Sequence, residues 1–491
     1  RLIEYLLIIP LFAAFLCYAL KYRRVIEMTS LAASVATMAV TTYLTYLVFS
    51  KGVIDEGLLY MDALSAYVLI LIAFVGLMAN LYSLSYIGRE YEMKETSGTK
   101  LRNYHIFFQL FMCTMILVAV SDNLGILWIA IEGTTLASAY LVGFYDTDTS
   151  VEAVWKYLII CSVGITLALL GTIILYASSA SVLGGTSDAL SWSALMEPEV
   201  LGRLNVDLLR IAFIFILVGY GTKAGLAPMH TWLPDAHSQA PTPISSILSA
   251  VLLNCAMYGI LRFHLILSGS AIGPGFSSGL LLLFGLLSMA TAAAFIVLSK
   301  DYKRMLAYSS IEHMGVIAVG FGFGGVMGIM GSLFHMLNHA LAKTLLFFGA
   351  GNVLQRFHTK EIAGVKGLGS IMPLTATLLM GGALAITGCP PFSIFLSEFM
   401  ILVDGIDGGH FFSVVIYLIL LAIIFAALLY HVGKMVFGEP SHEKKPEELG
   451  HLRIVLMSVL LLLIIVLGIY MPSELSGVLE QVTALFTGGK Q

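Results

Sequence analysis

The chain has 491 residues, 58% of them hydrophobic and 11% charged, with a mean hydropathy of +0.92. Soluble domains carry about a quarter charged residues, so these values exclude an ordinary soluble enzyme and indicate one membrane-embedded unit. The net charge of −4 decides little, because in a membrane protein the placement of charge matters more than its sum.

A helix crosses about 30 Å of hydrocarbon with about 20 apolar residues. By that measure the sequence holds fourteen apolar segments, at roughly 2–20, 25–49, 62–86, 104–120, 122–145, 151–178, 208–233, 241–267, 275–299, 303–323, 324–355, 372–406, 411–437 and 451–471. The predicted fold is an all-α integral membrane protein of about 14 transmembrane helices. The first segment, Leu2 to Leu20, has the length of a signal peptide but no small-residue exit, and it leads straight into further spans. The chain begins at Arg1 rather than Met, which leaves a missing start open. Cys17, Cys113, Cys161, Cys255 and Cys389 all lie in apolar stretches and form no C-x-x-C, which argues against a disulfide frame, an iron–sulfur site or a zinc site.

Two segments are interrupted. The seventh runs through Gly219-Tyr-Gly221-Thr-Lys223-Ala-Gly225 and Pro228, and the twelfth through Gly388-Cys-Pro390-Pro391-Phe392. Such breaks free backbone groups that only protein or water can satisfy at membrane depth. They fall at corresponding places in segments 4–8 and 9–13, the pattern of two inverted five-helix repeats with an ion path at the breaks. The alternative is a pair of packing kinks. The implied units are an N-terminal three-helix segment (1–103), a first inverted repeat (104–267), a second (275–437) and a C-terminal helix and tail (438–491).

Orientation follows from Lys and Arg. With the N-terminus outside, inward loops hold 17 basic residues (Lys21, Arg23, Arg24, Arg89, Lys94, Lys100, Arg102, Lys300, Lys303, Arg304, Arg356, Lys360, Lys366, Lys434, Lys444, Lys445 and Arg453). The outward side holds six: Arg1, Lys51, Arg203, Arg210, Arg262 and Lys490. That bias predicts both termini outside.

The remaining basic residues, Lys156, Lys223 and Lys343, fall within helices. A charged side chain at the bilayer centre costs about 2.5–3.5 kcal/mol on insertion scales, so such residues are functional candidates. Glu132 lies mid-segment, Lys223 at the first break and Glu398 just after the second. His335, His339 and Lys343 are spaced i, i+4, i+8 and share one helix face. Desolvation disfavours an ammonium group and a nearby carboxylate favours it, so a Lys whose carboxylate partner approaches and leaves is a proton switch. Histidine titrates near neutrality and relays between such switches. Cationic Lys repels Na⁺, so the series suits proton movement. The competing readings are a fixed Glu132–Lys223 ion pair and ordinary interhelical hydrogen bonding by His335 and His339. Glu312 and His313, in the tenth segment, suit a structural or a relay role equally. Lys156 either reaches to the surface or joins the relay. His230 and His237 flank Trp232-Leu-Pro-Asp235-Ala, but their spacing fits no zinc pattern and the stretch reads as a structured inward loop. There is no P-loop, no dinucleotide fingerprint, no basic nucleic-acid patch and no sign of a bound metal or cofactor.

The stretch Gly221-Thr-Lys223-Ala-Gly-Leu-Ala-Pro228-Met-His230-Thr-Trp232-Leu-Pro-Asp235-Ala-His237-Ser-Gln-Ala-Pro241-Thr-Pro243 resembles the signature of the antiporter-like subunits of respiratory complex I and of the large Mrp-type cation/proton antiporter subunits. Asp301-Tyr-Lys303-Arg-Met-Leu-Ala-Tyr308 and His335-x-x-x-His339-x-x-x-Lys343 match as well, and the likeness covers nearly the whole chain. The variants Ile311-Glu312-His313-Met-Gly, Leu124-Gly-Ile-Leu-Trp128-Ile-Ala-Ile-Glu132 and Trp155-Lys156-Tyr157 look most like the form in energy-converting membrane-bound hydrogenases and their relatives. The resemblance implies a proton-translocating subunit in the membrane of a prokaryotic cell. Its partners would be other membrane-arm subunits and a peripheral arm holding nickel–iron and iron–sulfur centres. It implies a fifth-helix glutamate at Glu132, a seventh-helix lysine at Lys223, an eleventh-helix lysine at Lys343 and a twelfth-helix acid at Glu398. Many members carry Lys or His in the eighth helix, where this chain has Asn254. Asparagine does not titrate, so Glu312, His313 or water would have to bridge the two halves. The chain also ends soon after the fourteenth segment, without the long lateral helix of the distal complex I subunit, which points to an internal or proximal place in the arm. The alternatives are a Na⁺/H⁺ antiporter subunit of an Mrp-type exchanger and a scaffold with a vestigial channel.

Overall fold

The computed structural model describes residues 1–440 and 445–488, so Lys444 and Lys490 of the orientation count lie outside the described residues. The main helices are α1 (Leu2–Ala19), α2 (Arg23–Lys51), α3 (Ala63–Glu92), α4 (Gly98–Val120), α5 (Leu124–Val142), α6 (Asp148–Leu183), α7 (Val206–Ala224), α8 (Thr242–Gly269), α9 (Gly275–Val297), α10 (Tyr302–Phe323) and α11 (Val326–Phe357). They are followed by α12 (Pro373–Ile386), α13 (Ser393–Asp407), α14 (Phe411–Phe437), α15 (His451–Ile469) and α16 (Ser473–Thr487). Among the described residues one small hairpin interrupts this helical plan: β1 (Ile54–Asp55) pairs antiparallel with β2 (Tyr60–Met61), with Ile54 opposite Met61.

Side-chain caps set many of the helix starts. Asp62 accepts from the Ser65 amide, Asn123 from Gly125 and Ile126, and Asp301 from Arg304. Thr147 and Ser150 form a reciprocal capping box on α6. Among the described residues ten helices are long and apolar enough to cross a membrane: α1 to α6, α8, α9, α14 and α15. Of the other expected spans, α7, α10 and α11 carry more charged and polar side chains, and the twelfth segment is split.

Helix α8 lies at the centre, with its whole apolar window buried, whereas α14 and α15 are only 22% and 28% buried there. Phe411, Phe412, Ile419 and Phe437 on α14 stand exposed, as expected of a face turned to lipid or to a neighbouring subunit. Close helix approach relies on small residues. An ideal Cβ on Gly219 of α7 would lie 2.5 Å from the Ala168 backbone nitrogen of α6. A buried bidentate pair joins α8 to the start of α3: Arg262 donates to the two Asp62 carboxylate oxygens at 2.8 and 2.6 Å. The Arg262 guanidinium also lies 3.7 Å from the Trp192 ring centre.

Both interruptions are present, with sharper outlines than the sequence implied. Helix α7 does not run to residue 233. It ends at Ala224, where Gly225 takes the left-handed conformation, and the chain passes a cis Ala227–Pro228 bond. The stretch expected as an inward loop is instead a short buried helix, Trp232–Gln239, because Trp232, Leu233, Ala236 and His237 all turn into the core. Between α12 and α13, Gly388 has φ +80° and the Pro390–Pro391 bond is cis. Helix α8 contains a π-helical turn, Leu248–Leu252, of the kind that often marks functional positions. The tail beyond the fourteenth segment is helical: α16 buries Leu479, Val482 and Thr483.

Candidate functional site

The interior lysines Lys223 and Lys343 each sit in a cluster of buried polar side chains. The first is built on α5, α6 and α7. Lys223, in the last turn of α7, is 1% exposed. Its ammonium donates to Thr135 Oγ1 at 2.6 Å and to the Tyr157 hydroxyl at 2.7 Å. Tyr157 in turn meets Ser138 at 2.6 Å. Glu132 stands one turn before Thr135 on α5 and within electrostatic reach of Lys223, but the two form no ion pair. The fixed Glu132–Lys223 ion pair is therefore absent. Glu132 is half-buried as a residue, and its Oε2 is buried without a hydrogen-bond partner. A lysine hydrogen-bonded to hydroxyls beside an unpaired carboxylate is the arrangement a switch requires.

The second cluster joins α10, α11 and α13. His313 Nδ1 and His335 Nε2 are 2.8 Å apart, and His335 Nδ1 lies 2.8 Å from Ser397 Oγ. The His313 and His339 ring centres are 5.4 Å apart. Glu312 Oε2 lies 3.4 Å from His313 Nε2. Lys343, fully buried, donates to the Leu306 carbonyl at 2.6 Å and feels the Glu312 charge without contacting it. Glu398 is 7% exposed, and its Oε1 has no hydrogen-bond partner. Its carboxylate packs over Gly388 at the break. Ligand atoms of His313, His335 and Glu398 lie within 4.8 Å of one another, a separation that a proton crosses through one water. Two imidazoles and a carboxylate are also the one grouping among the described residues with the spacing of a metal site. The three residues come from three helices, so no sequence spacing reveals that grouping.

Asn254 follows the π turn of α8 and is buried. Its amide donates to the Ala250 carbonyl at 3.0 Å, while its Oδ1 is unpaired. In the same turn Ser249 meets Ser310 of α10 at 2.6 Å. Lys156 is partly exposed and pairs with Glu152 at 2.6 Å and Asp235 at 3.2 Å. Arg304 of α10 also donates to Asp235. Thus Asp235 fastens the short helix to α6 on one side and to α10 on the other. His230 is largely buried, with its ring 6.3 Å from Phe295.

Sequence reasoning missed the hydroxyl partners Thr135, Ser138, Tyr157 and Ser397. Thr135 and Tyr157 carried a weak signal: Thr135 is one turn from Glu132, and Tyr157 adjoins Lys156.

Residues 121–425 match the family described as NADH:quinone oxidoreductase/Mrp antiporter, transmembrane. The chain belongs to this family. It is 40% identical over 415 residues to the hydrogenase-4 component F homolog of Methylacidiphilum infernorum (isolate V4), covering 84% of this chain and 85% of that one. It is 33% identical over 351 residues to hydrogenase-4 component B of Escherichia coli (strain K12), covering 69% of this chain but half of that longer relative. A chain of the membrane-bound sulfane sulfur reductase, an archaeal respiratory membrane complex, superposes with a TM-score of 0.86 at 25% identity, covering 99% and 98% of the two chains. The family resemblance read from the stretch around Lys223 is thereby confirmed for this multi-pass membrane protein.

Proposed function

We propose that this chain is the proton-translocating, antiporter-like membrane subunit of a multisubunit redox-driven ion pump of the membrane-bound hydrogenase type. The observation that carries this reading is that Lys223 and Lys343 are both buried among hydrogen-bond acceptors, each with a carboxylate near but out of contact. Approach of Glu132 toward Lys223, or of Glu312 toward Lys343, stabilises the ammonium form, and withdrawal releases the proton. Glu398, His335, His339, His313 and Glu312 continue the path through the second half. Two buried lysines suit H⁺ better than Na⁺, which favours clustered oxygens.

In this reading the chain spans the membrane fourteen times, with both termini outside and inverted repeats in residues 104–267 and 275–437 flanked by 1–103 and 438–491. The split of α12 from α13 and the end of α7 at Gly225 support it. The subunit holds no redox centre of its own. Nickel–iron and iron–sulfur centres belong to partner subunits in a peripheral arm, next to further membrane-arm subunits. An Mrp-type Na⁺/H⁺ exchanger subunit is the second reading, and exchange without any electron donor would favour it.

The test is Lys223→Ala in the assembled complex, with proton uptake by vesicles measured against redox turnover. Pumping is expected to fall at least tenfold with assembly intact. Unchanged pumping overturns the proposal.

A further inference from the structure

A cleft of about 1280 Å³ opens at the C-terminal end of α14, between the residues just past α9 and the segment that leads to α12. None of its lining residues belongs to the Lys223 or the Lys343 cluster. Pockets for small molecules run to roughly 300–1,000 Å³, so this one has room for a headgroup and the upper part of its chains.

The walls are pinned, and the cleft is preformed. His431 on α14 donates from Nε2 to the Ile296 carbonyl on α9 at 2.9 Å. The Ile362 amide donates to the Lys300 carbonyl at 2.8 Å, beside an antiparallel bridge between Asp301 and Glu361. An ideal Cβ on Gly367 would fall 2.5 Å from the Pro440 nitrogen, so the chain leaving α14 lies tight against the chain entering α12.

Lys300, Lys366 and Lys434 line the cleft, and all three are exposed. Among the described residues none of their ammonium groups forms an ion pair. The Lys434 ammonium stands 4.4 Å from the ring centre of Tyr430, one turn earlier on α14. Tyr430 and Phe437 extend the lining as aromatic surface, 59% and 79% exposed. A single lysine near a helix end reaches water and needs no occupant. Three unpaired lysines around one cleft with an aromatic wall fit an anion joined to an apolar body. Basic pockets between transmembrane helices bind anionic lipid headgroups in this way. Glu361 and Glu439 also line the cleft, which leaves one positive charge in excess. That balance suits a single phosphodiester and disfavours a headgroup with several negative charges.

We propose that this cleft binds one monoanionic phospholipid of the phosphatidylglycerol type. The three ammonium groups hold its phosphodiester, and the glycerol hydroxyls donate to the two carboxylates. The acyl chains leave along Tyr430 and Phe437 into the bilayer. The site is independent of the proton path, because the two share no residue.

The test uses the complete complex, stripped of lipid and reconstituted in phosphatidylcholine vesicles with a minor share of phosphatidylglycerol. After re-extraction and washing, mass spectrometry counts the lipids retained per complex. The parent should keep one phosphatidylglycerol more than the triple variant Lys300→Gln, Lys366→Gln, Lys434→Gln. Lys434→Gln alone should weaken retention by about fivefold, the worth of one lysine at a membrane surface, and Lys434→Arg should keep it. Equal retention in parent and triple variant overturns the proposal, as does retention of phosphatidylcholine in place of phosphatidylglycerol. Where the triple variant does not assemble, equal retention in Lys434→Gln and Lys434→Arg overturns it. Inorganic phosphate that shields Lys434 from an amine-reactive label as well as the vesicles do assigns the cleft to a free anion, against the proposal. Cross-linking of these lysines to a neighbouring subunit, with no phosphatidylglycerol retained, assigns it to a protein contact and also overturns the lipid site.

Discussion

His313 Nδ1 and His335 Nε2 face each other at 2.8 Å, so one ring carries a proton on the facing nitrogen and the other does not. The pair is polarised, and a proton passed along it reverses the polarity. Ser397 holds the far nitrogen of His335 and fixes its orientation. His335→Asn removes the facing nitrogen while leaving the subunit an amide to bond Ser397. Proton pumping should drop by more than about tenfold, in line with the loss of one positioned proton-transfer group. Comparison of dye quenching with electron turnover in vesicles checks this, and equal coupling ratios in variant and parent would count against a relay here.

The hydroxyl pair that holds Lys223 gives a second prediction. Tyr157→Phe removes one of two acceptors to its ammonium, a bond worth about 1.5–3 kcal/mol when one partner is charged. Pumping should fall severalfold. Tyr157→Phe with Thr135→Val should lose more than either alone, without loss of assembly. Initial pumping rates of the three variants decide it.

Arg262 and Asp62 give a stability prediction. Removing one partner of a buried pair leaves an uncompensated charge and costs about 3–5 kcal/mol, whereas replacing both with apolar residues costs far less. Asp62→Leu should therefore reduce the yield of assembled complex sharply, and Asp62→Leu with Arg262→Leu should recover much of it. Yield after detergent extraction and thermal inactivation temperature are the readouts. A double variant no better than the single one would contradict the pairing argument.

Helix contact gives a fourth prediction. A methyl group at Gly219 would press on the α6 backbone at 2.5 Å, whereas one at Gly279 meets nothing within 4 Å. Gly219→Ala should lower the thermal stability of the complex by several degrees, and Gly279→Ala should leave it within about a degree. Melting curves of both in the same detergent settle the point.

Much of this was legible because a membrane makes charge conspicuous. Lys223, Lys343 and Glu398 stand out against apolar surroundings, and Gly225 and Gly388 with their prolines announced the breaks. Hydroxyl groups carry no such contrast. Thr135, Tyr157 and Ser397 look like any small or aromatic residue in an apolar helix, and only the fold shows what they hold. Where the sequence predicts a structured loop, the chain forms the short helix Trp232–Gln239. That short helix is stable because its apolar side is buried and Asp235 is tied down twice, which are tertiary causes. Glu132 lies on α5 beside the exposed Ile129 and Leu136, yet its Oε2 is buried, so its place in the segment marks the acid while the fold decides which of its atoms face the core.

Gly388 ties backbone shape to charge. Its left-handed φ already disfavours any side chain, and a Cβ there would come within 2.1 Å of a Glu398 carboxylate oxygen. The twelfth segment thus encodes its break and the seat of its acid in one position. A genetic screen for loss of pumping should consequently recover hits at residue 388, which has nothing to titrate, and a designer wishing to move the acid would first have to move the kink.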